Sequence, residues 1–196
     1  MEHTVITVGR EYGSGGRLIA QSLARELGFS FYDKELIGLA AQESGLSPEF
    51  IEEAEQKKTS SFLYNLSFSS QNLPINDQVF IAQSNVIRRV AGEGSCVIVG
   101  RCADYVLRDH PGVIRIFIHA PIEDRLRRAA VEYHVPADNM KVIVQKTDKN
   151  RASYYNHFTG GMWGNCQNYD LAINSSLGLN RVTELLARLV TSKEAK

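Results

Sequence analysis

At 196 residues and 43% hydrophobic content, the chain is long enough for one well-filled domain, and no Pro- or Gly/Ser-rich stretch divides it in two. Lys+Arg and Asp+Glu balance at 22 each, which excludes the broad basic field of a protein that grips nucleic acid through its phosphates, so any positive charge must be local. No apolar run approaches the roughly 20 residues that cross a bilayer, and Cys96, Cys102 and Cys166 lack metal-ligand spacing; reduced thiols in a cytoplasmic protein without export signal or membrane anchor are expected.

The first element is the most informative. Val5-Ile6-Thr7-Val8 reads as a buried strand that runs into Gly9-Arg10-Glu11-Tyr12-Gly13-Ser14-Gly15-Gly16-Arg17 and then a helix. Strand, glycine-rich turn and helix N-terminus together are the layout of a phosphate-binding loop, because glycines let the backbone curl with several N–H groups inward while the helix dipole adds positive charge. The usual G-x-x-x-x-G-K-[ST] pattern is broken: Gly16 stands where the lysine belongs and Arg17 where the metal-binding hydroxyl belongs.

Further along, Ile19, Leu23 and Leu27 form a helical stripe that Gly28 ends, and Phe29 to Tyr32 reads as a short strand. Asp33 is expected to cap a helix through Ala41, and Ser47-Pro48 opens another towards Gln56. The Ser-rich stretch Thr59 to Asn76 has no assignable period. Asp77 to Ala91 reads as a long helix ending at Gly92, then Cys96-Val97-Ile98-Val99 as a strand entering Gly100-Arg101, and Val113 to Ile118 as another. Pro121 opens a charged helix with Arg125, Arg127 and Arg128, a second polar helix covers Asn139 to Asn156, Leu171-Ala172-Ile173 is a last strand, and Val182, Leu185, Leu186, Leu189 and Val190 mark a final helix. Apolar strands alternating with helices predict a three-layer α/β/α architecture with about five parallel strands.

Ligands of open parallel sheets lie outside the carboxyl ends of the strands, which selects Gly13, Ser14, Gly15 and Gly16 as a phosphate cradle, with Asp33 and Arg101 beside it. Arg101 suits bidentate contact with a phosphate, although a helix-start ion pair explains it too, and Asp33 reads equally as a cap or as a ligand acceptor. Asp148, Arg151 and Tyr155 share one helical face, which the residues alone explain as solvated ion pairs. Arg125 and Arg128 lie a turn apart on a helix rich in carboxylates, and none of the five histidines has triad or metal spacing.

Taken together, Gly9 to Arg17, Phe31-Tyr32-Asp33-Lys34-Glu35-Leu36-Ile37, Val97 to Tyr105, Asp148-Lys149-Asn150-Arg151 and Tyr169-Asp170-Leu171 resemble the cytidylate kinase-like family of P-loop nucleoside monophosphate kinases over nearly the whole chain. The resemblance implies a P-loop fold over residues 1–196, with an acceptor-binding excursion at about 34–76 and a helical lid at about 138–165. It places Asp33 at the nucleoside-binding aspartate, Arg101 on the acceptor phosphate, and Asp148 and Arg151 in the lid near the transferred phosphate. It implies ATP or another nucleoside triphosphate with Mg²⁺ as donor, a nucleoside monophosphate such as CMP as acceptor, and neither nucleic acid nor membrane as partner. The departures are the absent loop lysine and hydroxyl, the residues Lys34, Gly38 and Leu39 after Asp33, and Val99 and Cys102 around Gly100-Arg101. Arg17 is the nearest cation to replace the lysine. A non-catalytic nucleotide-binding or regulatory module, and a P-loop kinase for a different acceptor, are the alternatives.

Overall fold

The computed structural model describes residues 3–56 and 73–194. Residues 57–72, which hold most of the Ser-rich stretch, lie outside the described residues. Strands β1 (Val5–Arg10), β2 (Ser30–Tyr32), β3 (Cys96–Val99), β4 (Val113–His119) and β5 (Leu171–Asn174) form one sheet in the order β2-β3-β1-β4-β5. Every pairing is parallel. Val8 lies opposite both Val99 and Ile116, so the chain leaves β1 and β3 at the same edge, and Gly9 and Arg10 stand level with Phe117 and Ile118.

Because side chains alternate along a strand, β1 feeds two cores. Ile6 and Val8 pack with Val97, Val99 and Ile116 under α1 (Gly16–Leu27) and α8 (Leu179–Glu194), which contribute Ile19, Leu23, Val182 and Leu186. Val5 packs with Cys96 and Ile98 under α2 (Glu35–Ser44), α3 (Pro48–Gln56) and α4 (Ile75–Glu93), which contribute Leu36, Ile51, Val79 and Ile87. Each such fully buried side chain stabilises the fold by about 1.5–3 kcal/mol, which is why the strands read as continuous apolar runs. Burial also pushes the Cys96 thiol up to about 12, so it is an inert core residue, and all three cysteines are free thiols.

The remaining helices are α5 (Ala103–Val106), α6 (Ile122–Tyr133) and α7 (Met140–Thr159). The four-residue α5 is too short to show a period in sequence. Helix α4 runs on through Gly92 to Glu93, where open space surrounds the glycine and nothing forces a break. Asp33 does not cap α2 with its side chain; Lys34 occupies the cap position without a side-chain bond, and the Asp33 carboxylate is taken up elsewhere. Among the described residues no helix is long and apolar enough to cross a membrane.

Candidate active site

From β1 the chain returns past β3 to reach β2, whereas from the adjacent β4 it proceeds outward to β5, so the connections diverge and open a crevice at the carboxyl edge. The glycine loop sits there. Gly13 adopts φ 78° and a Cβ on it would lie 2.5 Å from the Arg125 carbonyl oxygen, so only glycine fits between this turn and α6. The Ser14 hydroxyl donates to the Glu11 carbonyl at 2.8 Å and accepts from the Gly16 N–H at 3.3 Å, and the Ser175 hydroxyl donates to the Ser14 carbonyl. These bonds fix the loop while the N–H groups of Gly13, Gly15 and Arg17 find no acceptor among the described residues. No acid lies in the first turn of α1 to offset its dipole. Unpaired N–H groups and an uncompensated helix N-terminus together give the concavity the electrostatics that favour an anion.

Arginines from several segments surround it. Arg17 donates through Nε to Asp33 at 2.6 Å, and Arg101 approaches the other Asp33 oxygen at 3.6 Å. Gly100 has no side chain, which lets the Arg10 guanidinium lie against its Cα and reach towards Asp33. Burial alone would push the Asp33 carboxyl up, but the Arg17 hydrogen bond with the charges of Arg10 and Arg101 holds it below the ordinary carboxylate range. Arg101 and Cys102 both have positive φ, 53° and 55°, an unusual conformation for side-chain-bearing residues that turns the chain sharply over the end of β3.

A second hub is centred on Arg125. Its Nε donates to the Tyr12 carbonyl at 2.8 Å, Nη1 lies 3.3 Å from Glu11 and Nη2 meets Asp148. Asp148 accepts the Tyr12 N–H at 2.7 Å with its other oxygen, so one carboxylate ties α7 to the loop and to α6. Burial shifts the Asp148 carboxyl upward against the pull of these donors. Arg151 donates to the Arg10 carbonyl at 3.2 Å and lies over the Tyr12 ring, 5.6 Å from its centroid. Arg128 donates to the Gly13 carbonyl at 2.6 Å and borders Gly15, directly on the loop.

A cavity of about 600 Å³ begins at Gly9, Arg10 and Tyr12 and extends between the end of β3 and α7. Its lining includes the cations Arg10, Lys34, Arg101, Lys146 and Arg151 together with Asp104, Tyr154, Tyr155, Trp163 and Tyr169, the end of β3 and α7 each supplying residues of both kinds. Trp163 packs edge-on against Phe117 with ring centroids 5.3 Å apart.

Residues 5–177 match the cytidylate kinase-like family. The chain belongs to that family. A cytidylate kinase from Methanopyrus kandleri (strain AV19) is 25% identical over 182 residues, covering 88% of this chain and 84% of that protein. The structure of an uncharacterized protein from Eubacterium ventriosum ATCC 27560 is 27% identical with a TM-score of 0.73, covering 97% of this chain and 99% of that one. A shikimate kinase from Acinetobacter baumannii in complex with shikimate superposes over 100% of this chain and 97% of its own, at 15% identity and a TM-score of 0.56. A gluconokinase from Sinorhizobium meliloti 1021 does so over 97% and 95%, at 14% identity and 0.57. The fold is that of the P-loop kinases.

In this cytidylate kinase-like chain, Gly13 to Gly16, Arg17, Asp33, Arg101, Asp148 and Arg151 all gather at the carboxyl edge of the sheet. The face of α7 that carries Asp148, Arg151 and Tyr155 is turned inward; the expected intrahelical ion pair is present between Asp148 and Arg151 at 3.7 Å, but it is largely buried and each of the three residues also bonds to another segment. Asp33 meets arginines first of all. Arg10, Arg125, Arg128 and Asp104 belong to the site but were not selected by sequence. For Arg125 and Arg128 the signal was their i, i+3 spacing on the helix after β4, which neighbouring carboxylates obscured. Arg10 and Asp104 stand at strand-end turns, which is a positional signal that assigns no role; the register of β1 against β3 and the turn into α5 bring them to the cavity.

Proposed function

We propose that this protein transfers the γ-phosphoryl group of ATP to a nucleoside monophosphate, CMP being the type case. One observation carries the proposal: arginines from β1, from the turn after β3 and from α7 meet on a single cavity whose first residues immediately precede an anion-binding glycine loop. Mere nucleotide binding does not require three cations from three segments on the far side of the loop. Two phosphate groups facing each other do.

In this reading the donor triphosphate lies on the N–H groups of Gly13, Gly15 and Arg17. Arg17 uses Nε on Asp33, so its Nη groups face the donor together with Arg128. The acceptor phosphate lies among Arg10, Arg101 and Arg151. An acceptor phosphate oxygen bonds to the γ-phosphorus, the bond from that phosphorus to the β,γ-bridging oxygen breaks, and ADP leaves with that oxygen. The attacking oxygen is already ionised, so no general base is needed, and catalysis is positional and electrostatic. Asp148 holds Arg125 and the Tyr12 backbone, which positions the loop.

The fold family implies Mg²⁺ with the triphosphate. The residues here do not form a protein-held site for it: Arg17 replaces the hydroxyl, and Glu11, Asp33 and Asp148 are each paired with arginine. Among the described residues no group of three or more His, Cys, Asp or Glu side chains is placed to hold a metal ion. No step is therefore assigned to it.

The missing loop lysine favours a second reading, a module that binds nucleotide without turnover. A thermal-shift screen of nucleoside mono-, di- and triphosphates tests the binding half of both, since a ligand at 100 times its Kd adds about 2.7 kcal/mol. Stabilisation by a triphosphate and, separately, by a monophosphate supports the kinase. Stabilisation by one class alone supports the module, and none by either removes the nucleotide site.

A further inference from the structure

Tyr12 is the last residue before Gly13, and both polar groups of its backbone are held by other segments. Its N–H donates to Asp148 Oδ1 on α7 at 2.7 Å, and its carbonyl accepts from Arg125 Nε on α6 at 2.8 Å. Its ring meets the same two helices, with centroids 5.5 Å apart at Tyr133 and the Arg151 guanidinium 5.6 Å away. Arg125 joins these contacts: Nη2 meets Asp148 Oδ2, and Nη1 lies 3.3 Å from Glu11, whose other oxygen accepts the Ala120 N–H at 3.0 Å. The Arg125 side chain is 9% exposed and is not among the residues that line the cavity, so its guanidinium is spent on protein partners.

Glu11 to Ser14 is a β-turn closed by the Ser14 N–H on the Glu11 carbonyl at 3.3 Å, and positive φ at Gly13 but not at Tyr12 makes it type II. The type I form keeps the same closing bond and turns over only the central peptide, Tyr12–Gly13; glycine accepts either sign of φ, so the turn has two arrangements. They differ in what they offer an anion. In a trans peptide the C=O and the next N–H point in opposite directions, so the Arg125 bond to the Tyr12 carbonyl aims the Gly13 N–H, a loop donor without a protein acceptor, away from the guanidinium. The type I arrangement would break the Arg125 bond and present a carbonyl in place of that N–H. On the other side of the hub, Asp148 Oδ1 also faces Arg151 Nη1 at 3.7 Å, and Arg151 lines the cavity. Tyr12 carbonyl to Arg125, Arg125 to Asp148 and Asp148 to Arg151 therefore form a continuous chain of charge-assisted contacts from the glycine loop to the cavity.

We infer that Arg125 is a positioning residue that couples the two anion sites: it holds the Tyr12–Gly13 peptide in the orientation that serves the donor phosphates and, through Asp148, holds Arg151 in place for the acceptor phosphate. This rests on the kinase reading above and adds that the two nucleotides bind with positive cooperativity. A triphosphate on the Gly13 N–H favours the type II turn over the arrangement that would turn a carbonyl towards it, which keeps Arg125 and Asp148 engaged and Arg151 on the cavity. An acceptor phosphate on Arg151 favours the same arrangement from the other end. Linkage makes the effect reciprocal, each nucleotide tightening the other by one factor, and such couplings are about 5- to 150-fold.

The test is isothermal titration of the full chain with CMP, alone and with the non-hydrolysable analogue β,γ-imido-ATP at saturation, and the converse titration, for the wild type, Arg125→Lys and Asp148→Asn. The wild type is expected to bind each nucleotide about 10-fold more tightly when the other is present. Arg125→Lys keeps the charge but has no planar fork to join Tyr12, Glu11 and Asp148, and Asp148→Asn keeps an acceptor for the Tyr12 N–H but loses the charge that engages Arg125 and Arg151. Each variant should bring the factor within about twofold. The factor is a ratio within one folded protein, so lost stability alone does not imitate the result. A wild-type factor retained in Arg125→Lys, or in Asp148→Asn where the lysine variant does not fold, makes the Arg125 cluster a fold contact and overturns the inference. Independent binding of the two nucleotides to the wild type overturns it while leaving the kinase reading standing. Failure of the wild type to bind CMP or the analogue removes both.

Discussion

Replacing Asp33 by Asn tests how the arginines of the site are held. The Asp33 side chain is 7% exposed and serves Arg17, 42% exposed, and Arg101, 8% exposed. The Arg17 pair is largely solvated and is worth at most about 1 kcal/mol. Arg101 is buried, and breaking a buried pair by removing one partner costs about 3–5 kcal/mol. Asn keeps the shape and one acceptor, and Arg101 retains a long contact of 3.5 Å to the Val99 carbonyl, so about 2 kcal/mol is the expected share. The total, about 2–3 kcal/mol, should lower Tm by about 5–10 °C in a chain of this length. The pH dependence is distinctive. Because the folded carboxyl is held below its ordinary value, its stabilisation is fully present above an aspartate pKa of about 3.9 and is lost as pH falls through the lower folded value. Urea unfolding of both proteins should therefore give a constant gap from pH 8 to 5 that narrows towards pH 3. A gap that is the same at pH 7 and pH 3, or one below about 0.5 kcal/mol at pH 7, would refute the view that Asp33 anchors the arginines.

Gly13→Ala must place a side chain at φ 78° against the Arg125 carbonyl, which costs about 1–2 kcal/mol for the left-handed conformation alone and distorts the loop; calorimetry should show the lower Tm together with lost triphosphate stabilisation. Arg125→Leu removes the nearer cation of Asp148 and leaves it only the longer Arg151 contact of 3.7 Å, so it should cost about 2–3 kcal/mol, less than a fully broken buried pair, of which Arg125→Leu with Asp148→Leu recovers a part, measured by urea unfolding of the single and double variants. Arg128→Ala and Arg17→Ala should each weaken triphosphate binding about 10- to 100-fold in isothermal titration, with Arg17→Lys restoring only part, because a point charge does not reproduce a planar fork. Unchanged affinity in both alanine variants would leave the loop backbone as the whole donor site.

The layered fold was legible in the sequence because each strand is a short apolar run between glycine or proline turns and each core helix has a clear stripe. Val5 to Val8, Cys96 to Val99 and Ile19-Leu23-Leu27 all landed where their periodicity put them. The strand, glycine turn and helix around Gly13 to Gly16 were equally legible, since they are a local feature of the sequence. What escaped was non-local. Arg10 reads as the end of a strand until β3 brings Gly100 beneath it. Asp104 reads as an ordinary turn residue until the positive-φ pair Arg101-Cys102 directs the chain over the cavity. Asp33 could equally have been a cap or a ligand group; the arrival of arginines from β1, α1 and the end of β3 decides its partners, and no pattern within ten residues of it encodes that.

The claim that the two anion sites face each other for chemistry is tested most directly by incubating the protein with ATP labelled in the γ-phosphate and with CMP, then separating the nucleotides. Formation of labelled CDP, abolished in Arg151→Met while both nucleotides still bind to the folded variant, is the predicted result. Binding of both nucleotides by the wild type with no label transferred, even at protein concentrations matching the nucleotide, would contradict it and identify a nucleotide-binding module.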